Sequence, residues 1–184
     1  MADMRSGSKS TGKGFRIEIK MTKVPTEEDW IECKRRALWT MGLQRVITKP
    51  SQSWKERILN ARHSPIRCLQ FSFDITEVPY WVTVHLVRHV HAQPYVSSQR
   101  NDRQDEYDRS DAPQDSPVNM IWDMNAEELM VIANKRLCQK ASPETREVVS
   151  KMCELVVAKC PEFGTVLVPM CEYAGCHEME PCNK

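Results

Sequence analysis

The sequence carries almost no net charge and has no long apolar run. Its 26 Lys and Arg residues against 25 Asp and Glu give a formal net charge of +1, so no overall field steers the chain toward nucleic acid or an acidic membrane. No apolar stretch approaches the roughly 18 residues of a membrane-spanning helix, and no charged-then-apolar signal segment opens the chain. We find no internal repeat. We therefore expect a cytoplasmic protein with no membrane partner, of a length that suits one well-packed domain.

Because there is no signal segment, the eight cysteines are expected to be reduced thiols or metal ligands and not structural disulfides. Cys171, Cys176 and Cys182 lie close together in the tail, and thiolates at such loop spacings can bind zinc or an iron–sulfur cluster. The spacing matches neither paired C-x-x-C motifs nor a zinc finger, so free thiols or a labile disulfide remain alternatives. Three further cysteines lie among apolar or helical neighbours and are expected to be buried thiols: Cys33, Cys68 and Cys138.

Hydrophobic periodicity predicts a mixture of strands and helices. Period-two alternation or a short apolar run predicts three strands: Phe15–Met21, Leu69–Thr76 and Thr165–Met170. Capping residues followed by apolar stripes predict helices that begin near Thr26, Ser53, Pro79, Asn125 and Ser142. These helices are expected to end near Gly42, Arg62, Pro94, Cys138 and Pro161. The segment after Pro79 is ambiguous, because its β-branched run at residues 81–84 would also suit a strand.

Two segments lack the apolar residues that a packed element needs. Residues 1–14 are rich in Ser, Gly and Lys, and we expect a disordered leader. Residues 101–118 are almost wholly polar or Pro, which predicts a long loop. Such a loop could cover a substrate, with Arg103, Tyr107 and Arg109 best able to contact a nucleotide, or it could be a solvated insertion.

The stretch Arg88–Arg103 is dense in groups that can hold an anion such as phosphate. It contains three arginines and two histidines, and His85 lies just before it. If the segment before Pro94 is helical, His85 and His89 share one face, and Pro94 then ends the helix. Residues 95–100 would form a loop that presents Ser98 and Arg100 near the helix end. A surface helix with solvated charges is the alternative.

Arg146 is placed against the usual electrostatic preference. It lies in the first turn of the helix predicted after Ser142, where the helix N-terminus is already positive. An arginine there can hold an anion or an electron-rich base. An ordinary salt bridge to a nearby glutamate, Glu127, Glu128 or Glu144, remains the alternative.

The Arg88–Arg100 segment resembles the signature of the flavin-dependent thymidylate synthases, R-H-R-x-x-S-x-N-E-x-S-x-R. Aligned without a gap, the chain matches at Arg88, His89, Ser98 and Arg100. It departs from the signature at four positions, where the family has Arg, Ser, Asn and Glu: Val90, Gln93, Tyr95 and Val96. Further landmarks follow the family order: Ser64 and Pro65 before an alternating strand, then Asn134, Arg136 and Arg146. The resemblance covers roughly residues 60–157 and extends to a short, cysteine-tailed branch found in phages and anaerobic bacteria.

The resemblance implies an α+β fold of the flavin-dependent thymidylate synthase type, in which helices pack on an antiparallel sheet. This fold would form a single domain over residues 15–170, followed by a cysteine-rich tail at 171–184. It implies reductive methylation of dUMP to dTMP, with FAD, NADPH and methylenetetrahydrofolate, in a homotetramer whose active sites lie between subunits. It implies a catalytic role for Arg146 on the pyrimidine. The implied substrate-binding residues are His85, Ser98, Arg100 and Arg146. The implied flavin-binding residues are Arg88, His89, Asn134, Arg136 and Ser64.

The departures from the signature leave two alternatives open. The chain could be a related flavoenzyme that modifies another pyrimidine nucleotide. It could instead be a non-catalytic, metal-stabilised module that binds nucleotide or nucleic acid, although the near-neutral charge and the few aromatic residues in the basic stretch argue against nucleic acid.

Overall fold

The computed structural model describes residues 16–43, 48–100, 102, 108 and 110–182. Several sequence predictions fall outside these residues: the leader at 1–14, Phe15, and the three loop residues Arg103, Tyr107 and Arg109. The described strands are β1 Glu18–Lys23, β2 Gln70–Pro79, β3 Gln93–Val96 and β4 Pro117–Asn125. The described α-helices are α1 Glu27–Thr40, α2 Gln52–Asn60, α3 Tyr80–Leu86, α4 Ala126–Arg136, α5 Pro143–Lys159 and α6 Met170–Tyr173. Two 3-10 helices, Ser64–Cys68 and Pro161–Phe163, complete the set.

The four strands form one antiparallel sheet in the order β1-β2-β4-β3. The alternation predicted for the second strand is confirmed, because Leu69, Phe71, Phe73 and Ile75 are all buried while the residues between them are partly exposed. Alternate residues of a strand point to opposite faces, so one face of β2 lies in the core. The predicted α+β class with an antiparallel sheet is therefore confirmed.

The core lies between this sheet face and the helices. Phe163 packs edge-on against Phe71 with ring centroids 5.3 Å apart, and Trp30 of α1 packs on Phe163 at 6.1 Å. Helices α4 and α5 add the buried aliphatic side chains Leu129, Ile132, Val149 and Met152. Large aromatic side chains contribute the most buried area per residue, so this layer anchors the helices that carry the polar residues of the site.

The helix-start signals are mostly confirmed. Thr26 and Asp29 form a reciprocal capping box at α1, Asn125 caps α4, and Ser142 caps α5 with Pro143 in the first helical position. The helix predicted to begin near Ser53 is present as α2, but Ser53 is not its capping residue. Ser51 caps α2 two residues earlier, because its hydroxyl accepts the backbone N–H of Trp54 at 3.3 Å.

The segment before Pro94 is helical for a shorter distance than predicted. Helix α3 ends at Leu86, and His89 N–H donates to the Leu86 carbonyl at 3.1 Å in a following turn. His85 and His89 therefore do not share a helix face. Tyr95 and Val96, predicted in a loop, lie in β3. β3 pairs only with β4 in the described sheet, and Pro is tolerated on such an edge strand because it removes one donor.

The strand predicted at Thr165–Met170 is also wrong. Residues 164–168 form turns and bends, and Met170 begins α6. Val166 and Leu167 are buried, so their apolar character reflects packing of a turn against the core. The tail boundary predicted at residue 171 falls inside α6. No helix among the described residues is both long and apolar enough to span a membrane.

Candidate nucleotide and cofactor site

His89 is the centre of a buried polar cluster between α3 and α4. The Arg136 Nε–H donates to His89 Nε2 at 2.9 Å, and Nδ1 lies 3.4 Å from Glu128 Oε1. Because Nε2 accepts a hydrogen bond, the imidazole proton must be on Nδ1, facing Glu128. Burial, and then the positive charges of Arg136 and Lys135, lower the pKa of His89 to about 4. His89 is therefore neutral near neutral pH, with Arg136 bonded to one ring nitrogen and Glu128 facing the other.

The inward orientation of the Glu128 carboxyl could not be predicted from the sequence. Asn125 and Glu128 have capping-box spacing, and the Asn125 side chain does accept Glu128 N–H at 2.9 Å. The Glu128 carboxyl does not complete the box, since it turns inward toward His89 and is only 5% exposed. Burial raises the pKa of Glu128. The residue that sequence reasoning assigned to a helix cap thus belongs to the site.

Arg136 is a half-buried cation held by neutral acceptors. Besides His89, its guanidinium donates to the backbone carbonyl of His85 at 2.8 Å. Its pKa is lowered by burial and by the nearby positive charge of Arg88. Among the described residues, no carboxylate forms an ion pair with either arginine. The pair therefore presents excess positive charge, which is suited to binding an anionic group.

His85 connects this cluster to α5. Its Nδ1 lies 3.4 Å from the hydroxyl of Thr145, a fully buried residue in the first turn of α5, and its ring packs edge-on against Trp81. The Ser142 hydroxyl donates to the Thr145 hydroxyl at 2.8 Å. The cap of α5 and the last turn of α3 are thereby joined through side chains.

Asn134 lies on α4 and is 1% exposed. Its Nδ2 donates to the carbonyls of Val166 and Val168 at 3.2 and 2.6 Å, and its Oδ1 accepts from the Arg62 guanidinium. These contacts use both amide N–H groups and the amide oxygen. In this chain Asn134 therefore ties the turn before α6 to α4, and its role toward a flavin stays a prediction.

Arg62 was predicted only as the end of a helix and not as a site residue. It adopts a positive φ of 50°, donates to the Tyr173 hydroxyl at 3.1 Å, and its guanidinium lies 4.4 Å from the Tyr173 ring centroid. It also lines a cavity of about 580 Å³ together with Arg67, His91 and Gln93. This cavity is bordered on one side by Glu128, so the buried cluster forms part of its wall.

The residues expected to bind the substrate phosphate lie on the surface. Ser98 Oγ accepts the backbone N–H of Arg100 at 3.3 Å, and the Arg100 guanidinium forms an ion pair with Asp102 at 2.6 Å. The Arg146 guanidinium donates to Gln139, at 3.1 Å to the side chain and 3.3 Å to the backbone. The alternative salt bridge from Arg146 to a glutamate is not formed among the described residues. No contact within the described part of the chain joins Arg100 to Arg146.

Ser64 is exposed at the start of the 3-10 helix Ser64–Cys68. It borders a cavity of about 440 Å³ that is also lined by Arg35 and Arg36. None of the contacts that form the His89 cluster involves Ser64. Its predicted place beside the flavin therefore stays a prediction.

The predicted metal site in the tail is not assembled. Cys171 and Cys176 are exposed and Cys182 is half-buried, and within residues 16–182, apart from the undescribed gaps, no group of three or more His, Cys, Asp or Glu side chains is placed to hold a metal ion. The tail cysteines instead line a cavity of about 380 Å³ beside Asn134 and Arg136. The prediction that Cys33 is buried is confirmed. It is wrong for Cys68 and Cys138, which are both partly exposed.

Comparison with known proteins adds a match to a protein family and matches to solved structures. Residues 103–162 match the family described as thymidylate synthase complementing protein. The fold is similar to thymidylate synthase X from Helicobacter pylori with FAD and dUMP, at 13% identity and a TM-score of 0.63, covering 82% of this chain and 97% of that one. It is also similar to the UMP/dUMP methylase PolB from Streptomyces cacaoi bound with 5-Br dUMP, at 14% identity and a TM-score of 0.62, covering 83% and 97%. At such identities the structural likeness establishes the fold. No curated protein sequence matches the chain.

Proposed function

We propose that this chain, whose residues 103–162 match the thymidylate synthase complementing protein family, is a flavin-dependent thymidylate synthase that methylates dUMP. The observation that carries the proposal is the family match over residues 103–162, which contains Glu128, Asn134, Arg136 and Arg146. The structural neighbour that binds FAD and dUMP supports both the cofactor and the substrate class. We further propose methylenetetrahydrofolate as the carbon donor and NADPH as the reductant, in the cytoplasm.

The described residues fit an anionic cofactor. Burial lowers the pKa of Arg136, and the positive charge of Arg88 lowers it further. A bound anion such as the FAD diphosphate would offset both effects. When bound and reduced by NADPH, the flavin would supply hydride. The neutral His89, protonated on Nδ1, orients the Arg136 guanidinium without adding a charge of its own.

We propose that Ser98 and Arg100 hold the substrate phosphate. Arg100 is already presented on the surface with its guanidinium paired to Asp102, and a phosphate dianion is a stronger partner than one exposed carboxylate. Arg146 would then stabilise negative charge on the pyrimidine ring, since its partly exposed guanidinium forms no ion pair with a carboxylate among the described residues. His85, held against Thr145, would complete the substrate side.

We propose that these groups meet across subunits of a homotetramer. Arg100 and Arg146 share no contact in the described chain, and in such a tetramer a second copy would contribute one of them to each site. Exposed apolar side chains on β3, β4 and the turn after α3, namely Tyr95, Ile121 and Val90, supply surface that a neighbouring copy could cover.

The test combines flavin binding with turnover on the full-length protein. A visible flavin absorption band that shifts when dUMP is added, and release of tritium from dUMP labelled at the 5-position in the presence of NADPH and methylenetetrahydrofolate, are the expected results. Arg100→Ala should weaken dUMP binding by about 2–4 kcal/mol, the cost of losing a charged hydrogen-bonding partner. Arg57→Ala, which removes an exposed arginine from α2, is the matched control and should leave binding unchanged. Unaltered dUMP affinity in Arg100→Ala would remove Arg100 from the phosphate role.

A second substrate is favoured by one specific observation. The neighbour PolB is described as a UMP/dUMP methylase, and this chain departs from the thymidylate synthase signature at Tyr95 and Val96. We therefore propose that the same assay be run with UMP. Tritium release from UMP alone would assign the chain to methylation of the ribonucleotide.

A further inference from the structure

The carboxyl of Glu128 borders the cavity of about 580 Å³ but has almost no polar partner. The residue is only 5% exposed. Within the described part of the chain, the one polar group in contact with the carboxyl is His89 Nδ1, at 3.4 Å. A carboxylate has about four acceptor positions, so most of them are unused here. A buried polar group in this condition is costly unless a partner satisfies it, and the cavity is the place from which a partner can come.

Hydrogen-bond donors make up most of the remaining polar wall of this cavity. Glu127 is the second carboxylate there, but both of its oxygens already accept hydrogen bonds from Arg67. Arg62 uses two of its five N–H groups on partners outside the cavity wall. The side chains of His91 and Gln93 form no hydrogen bond within the described residues. The cavity therefore offers one available carboxylate among several available donors.

This arrangement is complementary to the edge of a cyclic imide. Such an edge presents a carbonyl, an N–H and a second carbonyl side by side, as on the pyrimidine end of a flavin ring and on uracil. The N–H requires an acceptor and each carbonyl requires a donor. Glu128 supplies the acceptor, and the neighbouring side chains of the wall supply the donors. Val90 and Val131 also line the cavity and provide apolar surface for a flat ring.

The cavity adjoins the arginine that is proposed to hold an anionic group. His89 separates the two, because its Nδ1 faces Glu128 and its Nε2 accepts from Arg136 at 2.9 Å. One imidazole ring therefore lies between the Glu128 carboxyl and the Arg136 guanidinium. Both charged residues belong to α4, so a single helix presents an acceptor for a ring N–H and a cation for a phosphate. Flavin and uridine nucleotides carry both of these groups.

We propose that the cavity of about 580 Å³ binds the imide edge of a heterocyclic ring, and that the Glu128 carboxylate accepts the hydrogen bond of the ring N–H. This inference rests on the proposed function, because the flavin and the uracil base that the function requires both carry such an edge. Glu128 is then a specificity-determining residue. Burial raises its pKa in the free protein, and a hydrogen bond from the ring N–H favours the ionised form.

The test measures the binding of four compounds to the full-length protein by calorimetry: FAD, dUMP, and the derivative of each that carries a methyl group on the imide nitrogen. Methylation removes the N–H and places an apolar group against the carboxylate. In the parent it should weaken binding of the compound whose ring occupies the cavity by about 10- to 100-fold, the effect of losing a hydrogen bond to a charged acceptor.

Two variants separate this hydrogen bond from other effects of the methyl group. Glu128→Leu removes the acceptor, so the loss of affinity on methylation should fall below about threefold. Glu128→Gln keeps a neutral carbonyl acceptor and should retain part of the loss, because hydrogen bonds to uncharged acceptors are weaker. Glu28→Leu replaces an exposed glutamate of α1, and this control should behave as the parent does. Urea unfolding checks that each variant is folded.

The compound whose methylation effect depends on Glu128 identifies the ring in the cavity, flavin or uracil. No effect of methylation in the parent, or an equal effect in the parent and Glu128→Leu for both compounds, would overturn the inference and leave the proposed function standing. If Glu128→Leu does not fold, an equal effect in the parent and Glu128→Gln overturns it in the same way. A parent that binds neither FAD nor dUMP would remove the proposed function together with this inference.

Discussion

The neutral state of His89 leads to a prediction about stability and pH. In the folded protein its pKa is about 4, below the ordinary value of 6.5. As pH falls below 6.5, the unfolded chain therefore takes up a proton that the folded protein does not. A histidine whose pKa is lower in the folded than in the unfolded state reduces the free energy of unfolding as pH falls, because protonation favours the unfolded state.

The magnitude follows from the two pKa values. Between about pH 7 and about pH 5 the unfolded state gains about 0.7 of a proton and the folded state about 0.1, so His89 alone should lower the free energy of unfolding by about 2 kcal/mol. Glu128 acts with the opposite sign, because its raised pKa lets the folded protein bind a proton first. Its shift arises chiefly from burial and not from His89, so a comparison that changes only His89 removes the Glu128 contribution.

The assay compares the parent with His89→Gln. Glutamine can accept the Arg136 hydrogen bond and does not titrate, so the loss of unfolding free energy between the two pH values should be about 2 kcal/mol smaller in the variant. Urea unfolding at each pH gives the values. His177→Gln, in the exposed tail, is the control that should match the parent.

A direct readout is nitrogen NMR of the imidazole. The His89 ring should remain neutral, with its proton on Nδ1, down to about pH 5. A titration midpoint of the His89 ring near 6.5, or equal pH dependence of the unfolding free energy in the parent and His89→Gln, would refute the assignment of His89 as a neutral imidazole.

Three further predictions concern stability and use unfolding in urea. Asn134→Ala should lower the free energy of unfolding by about 2–3 kcal/mol, because Arg62 and two carbonyls lose a buried partner. A decrease below about 0.5 kcal/mol would mean that solvent replaces the amide. Phe73→Ala should cost about 3–5 kcal/mol, since the ring is fully buried in the sheet face, whereas Val90→Ala, exposed at 76%, should change stability by less than about 0.5 kcal/mol. Thr26→Ala should cost about 1 kcal/mol through loss of the capping box, and no change would show that α1 is held by packing alone.

Local signals in the sequence determined a large share of the fold. Capping at Thr26, Asn125 and Ser142 depends on side chains a few residues from the backbone groups they satisfy, and the structure confirms each cap. The period-two alternation around Phe73 depends only on strand geometry, and it places the core face of β2 correctly. Such features can be predicted from the sequence because the residues that determine them lie in or next to the same helix or strand.

The sequence signals failed where a partner distant along the chain decides the outcome. β4 alternates Met120, Trp122 and Met124 toward the core, but the polar loop before it drew the prediction of irregular structure up to residue 118. The apolar residues around Val166 suggested a strand, yet the Asn134 side chain occupies their carbonyls and no ladder forms. A short apolar run cannot be classified until its hydrogen-bond partners are known.

The features of the site also fall into two groups, those that the sequence predicts and those that only the tertiary structure shows. The resemblance at Arg88 and His89 could be read from the sequence, and it lies outside residues 103–162, which the family match covers. Only the tertiary structure placed Glu128 and Arg136 on opposite nitrogens of His89. The physical reason is that residue type limits what a side chain can donate, accept or ionise, whereas burial and the identity of the facing group decide which of those states is populated. That second decision belongs to the packing of α3 and α4, and it cannot be read from the spacing of residues along the chain.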